Sequence, residues 1–277
     1  MKSPLLLIHG ISSTGRVFLI PRKSALGRLL AENFAVTLGE LRTGRPEPGQ
    51  RGWDFDYHLF EDLPRIWNQA CEEFGTKPSV LGYSMGGMLA SAAQALGIIN
   101  APRLVIVAAP HIFPNVPFYP PLMRLALQIA KRTGIRRIPI KLAARVLCLY
   151  LLYKRGGAMT PKLALFHLLA RKTAADIPWE TLKQATSWVS TAKFLNRSGS
   201  LDYLTELHKI SASTLFLAGE YDRIASPESM KPAFDRISSL RKKFVIVPRA
   251  DHLSLVGGPH SSEVAKIVEE WFKSMLF

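Results

Sequence analysis

The sequence predicts an α/β fold, a mostly parallel sheet flanked by helices, with an inserted helical lid. Three observations carry this. Short runs dominated by Leu, Val and Ile, at residues 5–9, 34–38, 79–83, 104–108, 214–218 and 244–247, show little polar alternation, as strands buried on both faces do. Helical periodicity fills the intervals, at residues 24–32, 59–73, 85–96, 227–237 and 262–273. The alternation stops between Pro110 and about Ile210, where no convincing strand is visible and helical spacing continues.

The chain of 277 residues is long enough for a core domain with an inserted sub-domain, and 48% hydrophobic with 21% charged residues is ordinary globular composition. The division expected is a core of residues 1–110 and 211–277 and a helical cap of residues 111–210.

The first strand, Leu5-Leu6-Leu7-Ile8, is ended at once by His9-Gly10. It is too short for a signal peptide and lacks a small-residue cleavage site, so it reads as a buried strand. No apolar stretch is long enough to span a bilayer; the best candidate, residues 142–153, is short and carries Arg145. Cys71 and Cys148 show neither metal spacing nor a C-x-x-C pattern and read as buried thiols of a reducing compartment. These readings together predict a cytoplasmic location.

The third strand leads into Gly82-Tyr83-Ser84-Met85-Gly86, a G-x-S-x-G pattern between a buried strand and a helix rich in small residues. In that context the serine sits on a sharp strand-to-helix turn, with glycines leaving room for the close approach of the two elements. The helix N-terminus behind it offers N–H groups and a partial positive charge to an oxyanion. A serine is a weak nucleophile and needs a base and an orienting acid. Two later strand ends supply candidates: Gly219-Glu220-Tyr221-Asp222-Arg223 follows the run 214–218, and Ala250-Asp251-His252 follows the run 244–247. Parallel sheets gather such loops at the carboxyl edge of their strands. Asp222 is the expected acid and His252 the expected base. Glu220 is a rival acid, and Asp222 also fits an Asx turn that only shapes the backbone. Asp251 is adjacent to His252 and so points away from it on an extended loop, while His208 and His260 read as surface residues. Oxyanion donors are expected from the backbone N–H groups of Met85 and Ile11, with the His9 ring bracing the loop.

The insertion is helical by spacing at Leu122, Leu125, Ile129 and Ala130 and again at Ile140, Ala144, Leu147 and Leu151. Thr160-Pro161 reads as an N-cap followed by proline at the first helical position, and a further helix is expected over residues 179–191. Much of the net charge of +15 lies here: Arg124, Lys131, Arg132, Arg136, Arg137, Lys141, Arg145, Lys154 and Arg155 occur with no Asp or Glu among them. Two readings stand, a solvated basic face and a basic amphipathic surface that meets anionic lipid or an anionic acyl substrate. No recognition motif accompanies the charge, so nucleic acid is not an expected partner.

Taken together, the segments Leu-Leu-Ile-His9-Gly10, Gly82-Tyr83-Ser84-Met85-Gly86-Gly87, Gly219-Glu220-Tyr221-Asp222-Arg223-Ile224 and Asp251-His252 resemble the α/β-hydrolase superfamily, particularly its small intracellular esterase and lipase-like members. The family's Asp-x-Arg-Gly-x-Gly-like segment is matched only loosely by Gly39-Glu40-Leu41-Arg42-Thr43-Gly44. Its two usual leading strands have no counterpart ahead of His9-Gly10, which predicts a shortened sheet. Helical lids between the sixth and seventh family strands are common, and residues 111–210 fit one. A fainter similarity to polyhydroxyalkanoate synthases rests on the layout of the C-terminal third; those enzymes use cysteine where this chain has Ser84, which argues for hydrolysis.

The function expected is a serine hydrolase that cleaves carboxylic esters through an acyl-enzyme, with no metal or cofactor implied. Leucines in the lid, with Phe113, Phe118 and Tyr119 near its start, favour an apolar acyl chain, as in a carboxylesterase or a monoacylglycerol-type lipase. A thioesterase or acyltransferase on the same residues is the nearest alternative, and a non-catalytic lipid or partner binder is the alternative of another class. Epoxide hydrolases and dehalogenases need an acidic nucleophile where Ser84 stands.

Overall fold

The computed structural model describes residues 2–42, 52–113, 128, 137–154 and 159–274. Six parallel strands form the main sheet: β1 (Ser3–Ile8), β2 (Phe34–Gly39), β3 (Ser79–Tyr83), β4 (Arg103–Val107), β7 (Ser213–Gly219) and β8 (Lys242–Val247), in the order β2-β1-β3-β4-β7-β8. The central strands are fully buried from Leu5 to Ile8, Val80 to Leu81, Leu104 to Val107 and Leu215 to Ala218, which is why their sequences lack alternation. Every predicted strand is present.

Helices α1 (Leu26–Leu30), α2 (Leu63–Phe74), α3 (Met85–Ala95), α7 (Pro227–Arg236) and α8 (Ser261–Lys273) flank the sheet, and α4 (Ile140–Lys154), α5 (Pro161–Lys172) and α6 (Trp179–Thr191) lie in the chain between β4 and β7. α3 is buried nearly all round, and its Gly, Ala and Ser residues let it lie close against β3 and β4. α2 buries one face through Leu63, Ile66, Trp67 and Ala70, the spacing of a surface helix.

The structure departs from the sequence reading in three places. α1 is shorter than expected because Pro21 to Ala25 form a turn instead of a first helical turn. α2 is preceded by a helical turn at Phe55–Tyr57, capped by Asp54 accepting from Tyr57 N at 2.9 Å, and by a π-turn at His58–Asp62. A π-turn holds an extra residue per turn, which a 3.6-residue periodicity does not anticipate. A two-stranded antiparallel pair, β5 (Arg137–Ile138) with β6 (Ile177–Pro178), lies within the stretch expected to be strand-free; two residues are too few to show an alternation.

Between β4 and β7 the other regular elements of the described chain are helices, joined by loops and two isolated bridges, Ser13 with Ala174 and Leu195 with Asp202. Thr160 caps α5 by accepting from Leu163 N, with Pro161 at the first helical position. Expectations at Phe118, Tyr119, Leu122, Leu125, Ile129 and Ala130, at the cations Arg124, Lys131, Arg132, Arg136 and Arg155, and at Thr43-Gly44 lie outside the described residues. Trp188, Phe194 and Tyr203, all within the stretch 111–210, close round Phe55 with ring centroids 5.1–5.4 Å apart and join the main core.

The registers level the carboxyl ends of the strands. Ile8 pairs with Gly82, Tyr83 with Val107, Val107 with Leu217 and Gly219 with Val247. The loops that follow β1, β3, β7 and β8 therefore leave one edge of the sheet side by side.

His111 ties the loop after β4 to α3. Its Nδ1–H donates to the Ala109 carbonyl at 2.9 Å, which leaves Nε2 to accept from the Ser91 hydroxyl at 2.8 Å. Burial pushes this imidazole down from 6.5 to about 4, so it is neutral in the folded chain. The unfolded chain binds the proton near pH 6.5, so this group's contribution to stability is full above that pH and is lost as pH falls towards 4. The loss between pH 7 and pH 5 is about 2 kcal/mol. Urea unfolding at both pH values should show that difference, and His111→Gln should flatten it. An unchanged slope in the variant would remove His111 as its source.

Candidate active site

Ser84 lies between β3 and α3 at φ 55°, ψ −125°, a conformation that L-residues rarely adopt. Backbone bonds hold it there, from Ser84 N to the Val107 carbonyl at 2.9 Å and, to the Ser84 carbonyl, from Gly87 N at 2.9 Å and Met88 N at 3.2 Å. The first fixes the turn to β4, and the others begin the helix. Close packing from the other side completes the constraint. A Cβ on Gly86 would strike the Ile8 and His9 carbonyls, and one on Gly10 would come within 2.8 Å of Ser84 Cβ and 3.3 Å of its Oγ. Glycine at both positions lets the β1 loop pass directly over the serine.

The structure brings together the three residues singled out from sequence. His252 Nε2 lies 3.2 Å from Ser84 Oγ, and His252 Nδ1 lies 2.7 Å from Asp222 Oδ2. Asp222 is 2% exposed and Ser84 7%. A carboxylate only accepts, so His252 carries its proton on Nδ1 and turns the lone pair of Nε2 to the serine hydroxyl. This arrangement is suited to taking a proton from Ser84.

Asp222 serves two partners with separate oxygens. Oδ1 accepts from Ile224 N and Ala225 N, both at 2.8 Å, closing an Asx-type turn, while Oδ2 faces the histidine. The carboxylate thus closes the turn and also faces the imidazole. The rival acids are turned elsewhere. Glu220 Oε2 accepts from Arg249 N at 2.7 Å, and Asp251 pairs with Lys162 Nζ at 2.6 Å and accepts from Ser254 N at 3.1 Å. His260 meets the Ser254 hydroxyl, and His208 is exposed.

The β1 loop contributes next. His9 Nδ1–H donates to the Gly10 carbonyl at 2.9 Å, and its Nε2 accepts from Leu41 N at 3.1 Å, so the ring ties this loop to the one after β2. The Glu40 carboxylate accepts from Gly15 N at 3.0 and 3.1 Å. Ile11 and Met85 line one small cleft, and among the described residues neither N–H has a backbone acceptor. Met85 N stands at the N-terminus of α3, where the helix dipole adds positive potential.

Tyr83 escaped the sequence reading. Its hydroxyl donates to the His252 carbonyl at 3.1 Å and its ring lies 5.1 Å from the imidazole. Burial, reinforced by the negative charges of Asp222 and Asp251, pushes its phenol well above the usual value, so it stays a proton donor. Its place in the elbow motif gave no signal of that contact, which joins residues 169 apart.

A groove of about 730 Å³ borders the loop that carries His252, and Ser84, Asp222 and His252 themselves do not line it. Leu147 and Leu151 of α4, Leu163, Leu165 and Phe166 of α5, and Leu253 line it, and Asp251 and Leu253, either side of His252, form part of its wall. Among the described residues no group of His, Cys, Asp and Glu is arranged to hold a metal ion.

The profile of the alpha/beta hydrolase family matches residues 5–267. No curated protein matches the sequence. Among solved structures the chain is similar to a thermophilic esterase from Thermogutta terrifontis, with 20% identity, 99% of this chain and 90% of that chain covered, and a TM-score of 0.67. It is similar to a monoacylglycerol lipase from Paleococcus ferrophilus, with 18% identity, coverage of 99% and 96%, and a TM-score of 0.66. MenH from S. aureus gives 19% identity, coverage of 100% and 96%, and a TM-score of 0.67. At these identities the likeness is one of fold.

The two oxygens of Asp222 make its amide variant informative. Asp222→Asn keeps an oxygen for the turn but favours the wrong histidine tautomer, and should slow acylation of Ser84 by p-nitrophenyl acetate by about 10⁴-fold. Glu220→Gln should stay close to the parent rate. The reverse ranking in stopped-flow release of p-nitrophenol would reassign the acid.

Proposed function

The chain belongs to the alpha/beta hydrolase family, and from that premise we propose that it is a serine hydrolase cleaving carboxylic esters with an apolar acyl chain, a carboxylesterase or monoacylglycerol-type lipase. The observation that carries the proposal is the continuous line of contacts from Ser84 Oγ through His252 to a buried Asp222, at 3.2 and 2.7 Å.

The mechanism follows from those contacts. His252 Nε2 accepts the Ser84 proton as Oγ attacks the ester carbonyl, and the charge that develops on the imidazole is stabilised by Asp222. The carbonyl oxygen becomes an oxyanion held by the Ile11 and Met85 N–H groups, each donor being worth about 3 kcal/mol in the transition state. The tetrahedral intermediate collapses as His252 returns the proton to the leaving alcohol. Water then enters, gives its proton to His252 and attacks the acyl-enzyme, and the acid departs as Ser84 recovers its proton. Tyr83 holds the histidine loop, which keeps Nε2 in line through both proton transfers. No step calls for a metal or a cofactor.

The groove bordering the His252 loop supports an apolar acyl chain: five leucines and Phe166 line it, with polar groups such as Lys162 and His260 among them, and its volume suits a chain of several methylenes. The names of the esterase and the monoacylglycerol lipase among the similar folds agree with that reading. A thioester substrate, or an acyl acceptor other than water, would use the same acyl-enzyme.

A p-nitrophenyl ester series from acetate to palmitate tests the reading. Hydrolysis should favour medium or longer acyl chains over acetate, and Ser84→Ala should reduce it to background while the protein remains folded. Turnover retained in Ser84→Ala would overturn the nucleophile. A preference for acetate would remove the groove from the substrate site, and inertness to esters with turnover of acyl thioesters would move the function to the thioesterase reading.

A further inference from the structure

α4 differs from an ordinary surface helix in carrying apolar side chains on its outward face as well as its inward one. Its inward face is formed by Ile140, Ala144, Cys148 and Leu151, of which Cys148 is buried and the others are half-buried. A soluble helix normally sets polar side chains opposite such a face. Here the opposite face, at the helical spacing 142, 146 and 149, is Leu142, Val146 and Leu149, exposed by 60%, 56% and 67%. Tyr150 beside them is 52% exposed. Single exposed leucines are ordinary on protein surfaces, but a contiguous row marks a surface that meets something apolar.

The charge beside this row decides what that is. Lys141 and Arg145, one turn apart and exposed, run along the flank of the apolar face. Their long aliphatic stems can lie along apolar surface while the charged ends reach outward. α4 contains no Asp or Glu, and in the sequence none occurs anywhere from residue 74 to residue 175. A second copy of this chain would bring the same cations against themselves. An anionic lipid surface matches both features, since head-group phosphates meet the cations and the outer acyl region receives the leucines.

We propose that the outward face of α4 docks this protein onto anionic lipid bilayers, with Leu142, Val146 and Leu149 entering the outer acyl region and Lys141 and Arg145 contacting lipid phosphates. The helix is too short to cross the bilayer, so it lies in the plane of the interface. Its other side carries Leu147 and Leu151 into the groove bordering the His252 loop. Docking therefore brings the groove to the lipid surface without requiring the rest of the domain to enter it. The docking claim stands apart from the assignment of the reaction, because it rests on α4 alone.

The test is co-sedimentation of the full chain with vesicles of phosphatidylcholine alone and of phosphatidylcholine containing phosphatidylglycerol. Binding is expected to the second and not the first, and to weaken as salt is raised. Leu142→Gln/Val146→Gln/Leu149→Gln and, separately, Lys141→Gln/Arg145→Gln should each lower binding by about tenfold or more. All five side chains are exposed, so the rate on a water-soluble p-nitrophenyl ester and the circular dichroism spectrum should match the parent. Equal binding to both vesicle types, or undiminished binding by both variants, would overturn the proposal. So would dimers, seen by light scattering and abolished by the leucine variant, in a protein that ignores vesicles.

Discussion

The close approach of the α3 N-terminus to the ends of β1 and β3 is the constraint on which the site depends. It holds Ser84 in a backbone conformation that costs of order 1–3 kcal/mol for a residue with a Cβ. The surrounding bonds over-determine that conformation: β4 holds the serine N–H, the first turn of α3 holds its carbonyl, and the β1 loop lies across its side chain. Neither Gly10 nor Gly86 has room for a methyl group, so the elbow and the β1 loop fit as one unit. The same fit sets Ile11 and Met85 beside one cleft.

The loops after β7 and β8 are arranged around one buried carboxylate. Asp222 fastens its own turn with Oδ1 and the histidine with Oδ2, so shaping the loop and orienting the imidazole are a single structural event. Nearby acids do not compete, because Glu220 caps the turn at Arg249 and Asp251 is tied to Lys162 and Ser254. Tyr83 closes the circuit from the elbow to the histidine loop. A buried phenol whose ionisation is opposed by two carboxylates is a durable donor for that purpose.

Much of this was legible in the sequence for physical reasons that differ element by element. The six sheet strands announced themselves because burial on both faces removes polar residues from them. Ser84, Asp222 and His252 could be singled out because each follows such a strand, and parallel topology collects those ends at one edge. The π-turn at His58–Asp62 and the two-residue pair of β5 and β6 were not legible, the first because it breaks the helical period and the second because it is too short to have one. Tyr83 was hidden because its partner is a backbone carbonyl, which leaves no mark in side-chain identity. The helix of α4 was legible from the spacing of Ile140, Ala144, Leu147 and Leu151, but the exposure of Leu142, Val146 and Leu149 was not, because leucines mixed with cations do not show which of them face outward.

Active-site labelling reports whether Ser84 is the activated nucleophile proposed above. The protein would be treated with a fluorophosphonate at neutral pH and digested, and the modified peptide identified by mass spectrometry. That assignment predicts one phosphonyl group per chain, on Ser84, and no labelling after His252→Ala. A folded protein that stays unlabelled, or a label on another serine, would contradict it.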